Sequence, residues 1–218
     1  MFLKTGELKK IMKSSLKTCG LTVGNVNGYY LIFSDIWGAA VETIRASNKL
    51  KAAIMEMVGD LPEPGECCCY TVGTDKELVC QTVWPHPEPY EEWKAAKDFA
   101  TATPVKLMLW PHTYMMFQSK KDLKFLLAKE SLTNAVISAS ELELEMESMP
   151  GRPSLMGNVL YFKNETTIWW VYTEPAESRV KDVLFPHLSG IDFFDTDWKV
   201  SPERVEEAEE ETEEKLPY

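Results

Sequence analysis

The chain has 218 residues, 44% of them hydrophobic and 11% aromatic, with a formal net charge of −11. This allows one large domain or two modules of about 100 residues, and predicts a packed core rather than disorder. No apolar run approaches the ~18 residues needed to span a bilayer, and the opening MFLKTGELKKIMKSSLK lacks the apolar centre of an export signal, so a cytoplasmic protein without membrane contact is expected.

MFLKT reads as a short extended start. GELKKIMKSSLK then places Leu8, Ile11, Met12 and Leu16 on one stripe of a helix that ends at Gly20. LTVGNV and YYLIFSD are extended runs around Asn27-Gly28, a strong hairpin signal, and GAAVETIRAS continues extended. NKLKAAIMEMVG starts behind Asn48 as a cap, buries Leu50, Ile54, Met57 and Val58, and closes on Gly59. ECCCYTVG and KELVCQTVW form a further hairpin around Gly73-Thr74-Asp75. The first ninety residues thus run β-α-β-β-β-α-β-β, one supersecondary unit used twice.

Three prolines between Pro85 and Pro89 introduce a connector, with a helical turn or two from Glu91. PVKLMLW and TYMMFQS are extended. KKDLKFLLAKESL reads as a third helix, with Leu123, Leu126 and Leu127 on one side. NAVISASELELEME is extended, and NVLYFK and TTIWWVYTE form a hairpin around Asn164-Glu165. The expected fold class is α+β, built from repeated units of a helix plus antiparallel strands. The expected divisions are residues 1–90, a connector at 91–103, a second α+β domain at 104–200, and a tail at 201–218.

That tail, SPERVEEAEEETEEKLPY, holds eight glutamates against Arg204 and Lys215, so it carries −6 of the net charge and leaves −5 on residues 1–200. It is expected to be disordered or a loose helix, serving as a solubilising end, a docking arm or a self-shielding arm. The five cysteines, three of them adjacent at Cys67, Cys68 and Cys69, suit free thiols in a reducing cytosol better than disulfides.

All three histidines follow an aromatic-Pro pair: Trp84-Pro85-His86, Trp110-Pro111-His112 and Phe185-Pro186-His187. Three histidines and a water can hold zinc, but the local spacing of metal motifs is absent. The repeated statement is instead an apolar strand, an aromatic and a break, because proline has no N–H for the sheet ladder. Neither metal nor other cofactor is called for. P-loop, GxGxxG and GxSxG motifs are absent, so no catalytic residues are assigned and a non-enzyme is expected. The pair Trp169-Trp170 should put one indole inward and one outward. Glu141–Glu147 should form an edge strand with four carboxylates on one face.

Lys9, Lys10, Lys13 and Lys17 lie on the first helix opposite its apolar stripe. Lys49 and Lys51, after Arg45, open the second. Lys120, Lys121, Lys124 and Lys129 fall on the third. These eleven residues are close to half of the 23 lysines and arginines of an acidic chain. Lysine suits any solvated helix face. Its segregation on three helices also fits a surface that meets phosphate.

With these residues in view the chain resembles the DNA sliding clamps of bacteria and phages, mainly over residues 1–84. MFLKTGELKKIMKSSLK is similar to their opening strand and first lumen helix. NVNGYYLIFSDIWGAAVETI is similar to the strand-turn-strand that follows, with Ser34-Asp35 at the turn. KAAIMEMVGDLPEPGECCCYTVGTDKELVCQTVW is similar to the second helix, its LP-G exit and the next hairpin. Phe185-Pro186-His187 is placed like the family's FP-D segment, with His in place of Asp. The resemblance implies a clamp-like architecture and a polymerase processivity factor that encircles duplex DNA without sequence preference. Its partners would be duplex DNA, a DNA polymerase and a clamp loader, its state a homo-oligomer with a trimer favoured, and its location a bacterial host cytoplasm if phage-encoded. It implies Lys9, Lys10, Lys13, Lys17, Lys49, Lys51, Lys120, Lys121 and Lys124 as DNA-facing. It also implies four lumen helices, of which the sequence patterns three. The alternative is a small acidic interaction module, of phage inhibitor or immunity type, that covers a basic partner surface.

Overall fold

The computed structural model describes residues 1–75, 77–142 and 147–195. Its elements are α1 (Thr5–Thr18), β1 (Leu21–Val26), β2 (Tyr29–Ser34), β3 (Trp37–Glu42), α2 (Asn48–Val58), β4 (Cys67–Val72), β5 (Leu78–Thr82), α3 (Pro89–Ala95), β6 (Asp98–Leu109), β7 (His112–Ser119), β8 (Phe125–Lys129), β9 (Ser154–Met156), β10 (Val159–Lys163), β11 (Thr167–Tyr172) and α4 (Phe185–Leu188). The α+β class holds. All eleven strands join one antiparallel sheet in the order β5-β4-β1-β2-β3-β11-β10-β9-β6-β7-β8.

The first ninety residues form the helices and hairpins their pattern predicts, with two corrections: the opening MFLKT is no strand, since only Leu3 bridges to Ile137 and α1 already begins at Thr5, and the extended run GAAVETIRAS ends as a strand at Glu42. Leu8 and Met12 of α1 are buried, with Ile11 and Leu16 packed beside them. The helix stops where Gly20, at φ 96°, turns its N–H back to the Ser15 carbonyl, the left-handed exit that glycine adopts without steric cost. Asn27 and Gly28 both have positive φ, 53° and 82°, as a tight hairpin turn with matching twist requires. Leu50, Ile54, Met57 and Val58 of α2 are buried. Its cap is Ser47 rather than Asn48, because the Ser47 hydroxyl accepts the Leu50 N–H at 3.2 Å.

Alternate strand residues feed two faces, the period-two rule of a covered sheet. One face carries the main core: α1 and α2 pack there against Val23, Ile32, Trp37, Ala39, Phe162, Trp169 and Val171, and the core continues through Met115, Phe117 and Ala128. The other face buries Leu31, Ala40, Tyr161, Ile168 and Trp170 under α3 and Trp93. A third cluster, on the back of β7 and β8, packs Met116 and Leu127 against Phe185 and Leu188. The strand pair β3–β11 joins the two halves of the chain, in register from Trp37↔Val171 to Val41↔Thr167.

The second half departs from its pattern in four places. KKDLKFLLAKESL is not a helix: 120–124 is a turn and Phe125–Lys129 is a strand on β7. The turn is held by the carboxylate of Asp98, which accepts the Lys121 N–H at 3.1 Å, and by Asp122, which accepts the Lys124 N–H at 3.2 Å, with Leu123 at φ 54°. Leu126 and Ala128 then face the main core while Phe125 and Leu127 face the third cluster. Residues 134–142 form turns and a short 3-10 helix at Ala139–Glu141 rather than a strand, and the rest of the Glu141–Glu147 expectation falls largely outside the described residues, as does the acidic tail. VKDVLF is a wide helical turn, Val180–Leu184, that runs into α4. The 91–103 stretch holds the end of α3, started by Pro89 in its first turn, and the first half of β6.

Trp169 and Trp170 are both buried, contrary to the one-in, one-out expectation. They do point to opposite faces, but both faces are covered. Trp169 stacks on Trp37 with ring centroids 5.3 Å apart, and its indole N–H donates to the Leu132 carbonyl at 2.8 Å. Trp170 lies over Gly38, where any Cβ would meet its ring at 2.0 Å.

Candidate nucleic-acid interface

The outer surface of α1 and α2 follows from their buried stripes. With Leu8, Met12 and Ser15 inward, helical geometry turns Lys10, Lys13 and Lys17 to solvent, and all three are exposed. Five lysines and one glutamate lie between Lys4 and Thr18. Lys10 pairs with Glu7 at 2.8 Å, and that hydrogen bond holds the Glu7 carboxyl below its ordinary range. Lys9 is half-buried and forms an ion pair with Glu56 of α2, so it ties the two helices together. Lys49 is exposed and Lys51 half-exposed on α2. Lys13 and Lys17 have no acidic partner among the described residues. Six of the nine expected DNA-facing lysines therefore sit on two neighbouring helices.

The other three sit elsewhere. Lys120, Lys121 and Lys124 belong to the β7–β8 turn, not to a helix. Lys124 pairs with Asp122 at 2.7 Å, and Lys120 lies 3.5 Å from Asp192 and 4.8 Å from the centre of the Phe194 ring. A cleft beside this turn brings Lys121 and Lys124 together with Lys97, which sequence reading did not single out, and with Asp98 and Asp122. No local pattern could have joined Lys97 to a turn more than twenty residues away. Lys129, the last lysine of the expected third helix, ends β8 and pairs with Glu174 at 2.9 Å.

The histidines are dispersed: His86 lies in the segment between β5 and α3, His112 on β7 and His187 on α4. His86 is half-buried beside a shallow apolar groove lined by Val26, Leu31, Ala40, Pro87 and Ile168. His112 is exposed at the start of β7, and His187 is exposed in α4. Among the described residues no three His, Cys, Asp or Glu side chains are grouped to hold a metal ion. Burial pushes the Cys67 thiol up to about 11, the opposite of the shift that makes a thiolate nucleophile.

Two further surfaces stand out. The hairpin between β6 and β7 carries Met108 at 82% and Trp110 at 93% exposure. Strand β5 ends the sheet with every residue exposed, whereas the opposite edge is partly closed where the Glu174 N–H donates to the Leu127 carbonyl at 2.7 Å. No helix among the described residues is long and apolar enough to cross a membrane. No protein-family model matches the chain, and no curated protein sequence matches it.

Proposed function

We propose that the protein is a non-catalytic subunit of sliding-clamp type, with the outer surface of α1 and α2 turned toward duplex DNA. The observation that carries this reading is charge segregation. A chain of net charge −11 collects five lysines around one helix, and among the described residues only two of them, Lys9 and Lys10, form ion pairs with acidic side chains. Lysine contact with phosphate is independent of sequence and weakened by salt. A ring needs no tighter grip, because escape from a closed ring is prevented by topology. The backing of the helix pair by an antiparallel sheet with an open edge at β5 supports the same reading, since edge pairing between copies is one route to ring closure. A DNA polymerase and a clamp loader would be its partners, and a trimer its favoured state. The reading rests on Lys9, Lys10, Lys13, Lys17, Lys49 and Lys51; the β7–β8 turn adds nothing to it.

The test combines mass and salt dependence. Light scattering after size exclusion should give a multiple of 24.9 kDa. Duplex DNA affinity should fall with salt, and the double substitution Lys13→Glu with Lys17→Glu should reduce the log–log slope by roughly 2. A persistent monomer whose salt slope ignores that substitution would sink the proposal.

The exposed Met108 and Trp110 favour a second reading, in which the chain is an acidic interaction module. Large exposed apolar side chains at a hairpin tip suit a protein partner. Capture of a basic protein that is lost on Trp110→Ser would decide for it.

A further inference from the structure

The lysine surface of α1 has a complementary segment in the same chain. From Glu206 to Glu214 no more than one residue separates successive glutamates. Lys10, Lys13 and Lys17 follow one another at three and four residues, or about 5–6 Å along the helix. Carboxylates at that density can meet every exposed lysine of α1 in turn. We propose that the segment Glu203–Glu214 docks across the exposed lysines of α1, so that Lys10, Lys13 and Lys17 are covered by the chain's own carboxylates until a polyanion displaces them. The displacement by DNA rests on the function proposed above; the docking does not.

Reach permits it. The described chain ends at Asp195. The nineteen residues from there to Glu214 span up to roughly 60 Å when extended. A domain of this size is only about 40 Å across by the usual scaling of radius of gyration with length. Tethering also holds the glutamates near every face at an effective concentration of order millimolar.

Charge selects α1 over the nearer cationic surface. The cleft at Lys97, Lys121 and Lys124 adjoins the exit of the tail, because Lys120 pairs with Asp192 and Arg152 lies over the Phe194 ring at 5.1 Å. That cleft already contains Asp98 and Asp122, and Lys124 is paired within it. Added carboxylates would be repelled there by two aspartates. At the α1 surface the acidic side chains are Glu7 and, from α2, Glu56; Lys10 and Lys9 already engage them, and Lys13 and Lys17 have no acidic partner among the described residues.

The test is zero-length carbodiimide cross-linking of the intact chain, as an equal mixture of normal and heavy-nitrogen protein, at low and high salt. Cross-links from Glu206–Glu214 to Lys10, Lys13 or Lys17, of a single isotope and lost at about 0.5 M salt where screening is short-ranged, are the expected result. Absence of these links, mixed-isotope links alone, or links confined to Lys97, Lys121 and Lys124 would overturn the docking. A full-length variant with all eight tail glutamates changed to Gln should bind duplex DNA about threefold or more tighter at low salt, with the gain vanishing at high salt. Single-isotope α1 links in a protein that binds no DNA would leave the docking standing and remove the clamp reading. DNA binding without those links would do the reverse.

Discussion

Trp37 and Trp169 stack with ring centroids 5.3 Å apart, one from the first half of the chain and one from the second. Each indole also has its own partner: Trp37 donates to the Ser15 hydroxyl of α1 at 3.0 Å, and Trp169 to the Leu132 carbonyl at 2.8 Å. The pair therefore fastens the lysine-bearing helix to a sheet that both halves build. Trp169→Phe keeps an aromatic ring but loses the donor and part of the stack. The hydrogen bond and the stack are each worth about 1 kcal/mol, so a loss of about 2 kcal/mol is expected in urea unfolding. A loss below about 0.5 kcal/mol would show that the two halves are not joined there.

Gly38 has no room for a side chain. A Cβ on it would approach the Trp170 ring to 2.0 Å, and that ring is buried against Phe33 and the underside of α3. Overpacking typically costs about 1–3 kcal/mol, and a backbone-anchored clash with a buried indole belongs at the upper end. Gly38→Ala should lower the melting temperature sharply, while Gly151→Ala, with open space around it, should not. Equal melting temperatures would refute the packing.

The Tyr114 hydroxyl donates to Glu174 at 2.6 Å, and Lys129 reaches the same carboxylate at 2.9 Å. Burial acts to raise the Glu174 pKa, but these two hydrogen bonds outweigh it and leave the carboxyl below its usual 4.5. A depressed folded value stabilises the protein above the unfolded pKa, and that contribution disappears as pH falls through the folded value. Burial and the neighbouring carboxylate push Tyr114 up to about 12. A raised folded value acts in the other direction, stabilising below pH 10 and fading as pH rises toward 12. Glu174→Gln should therefore cost stability at neutral pH and nothing once Glu174 is protonated. Glu174 is more than a third exposed, so the neutral-pH cost should be about 0.5 kcal/mol. A cost that does not shrink in acid would contradict the arrangement.

Thiol reactivity should follow burial. Cys19 and Cys80 are exposed, Cys68 and Cys69 half-buried, and Cys67 buried with its thiol pushed up to about 11. Burial, then the hydrogen bond to Cys80, also raises Cys68. Iodoacetamide in native buffer should modify Cys19 and Cys80 first and Cys67 last, as read by peptide mass mapping. Early modification of Cys67 would contradict its burial against Leu31 and Ala40.

The first ninety residues were legible because each signal in them is local. Asn27-Gly28 needs only its own backbone preference to turn, Gly20 and Gly59 only theirs to end a helix, and the stripes of α1 and α2 match a single period. The second half misled where two periods coincide. Leu123, Leu126 and Leu127 suit a helix at i, i+3 and i+4, yet alternate positions in the same run also serve a strand buried on both faces. Such a run is decided by what covers its two faces, here the main core on one side and Phe185 and Leu188 of α4 on the other.

The sequence by itself determined the α+β class, the helix-and-hairpin order of the first ninety residues, and the charge of the α1 surface. These depend on backbone preferences and side-chain periodicity within a few residues. Only the tertiary structure decided that β3 and β11 join, that both indoles of Trp169-Trp170 are covered, that Lys120, Lys121 and Lys124 leave the helix surface for a turn, and that Lys97 meets them there. Those outcomes depend on contacts between residues far apart in the chain, whose energies appear only when both faces of the sheet are filled.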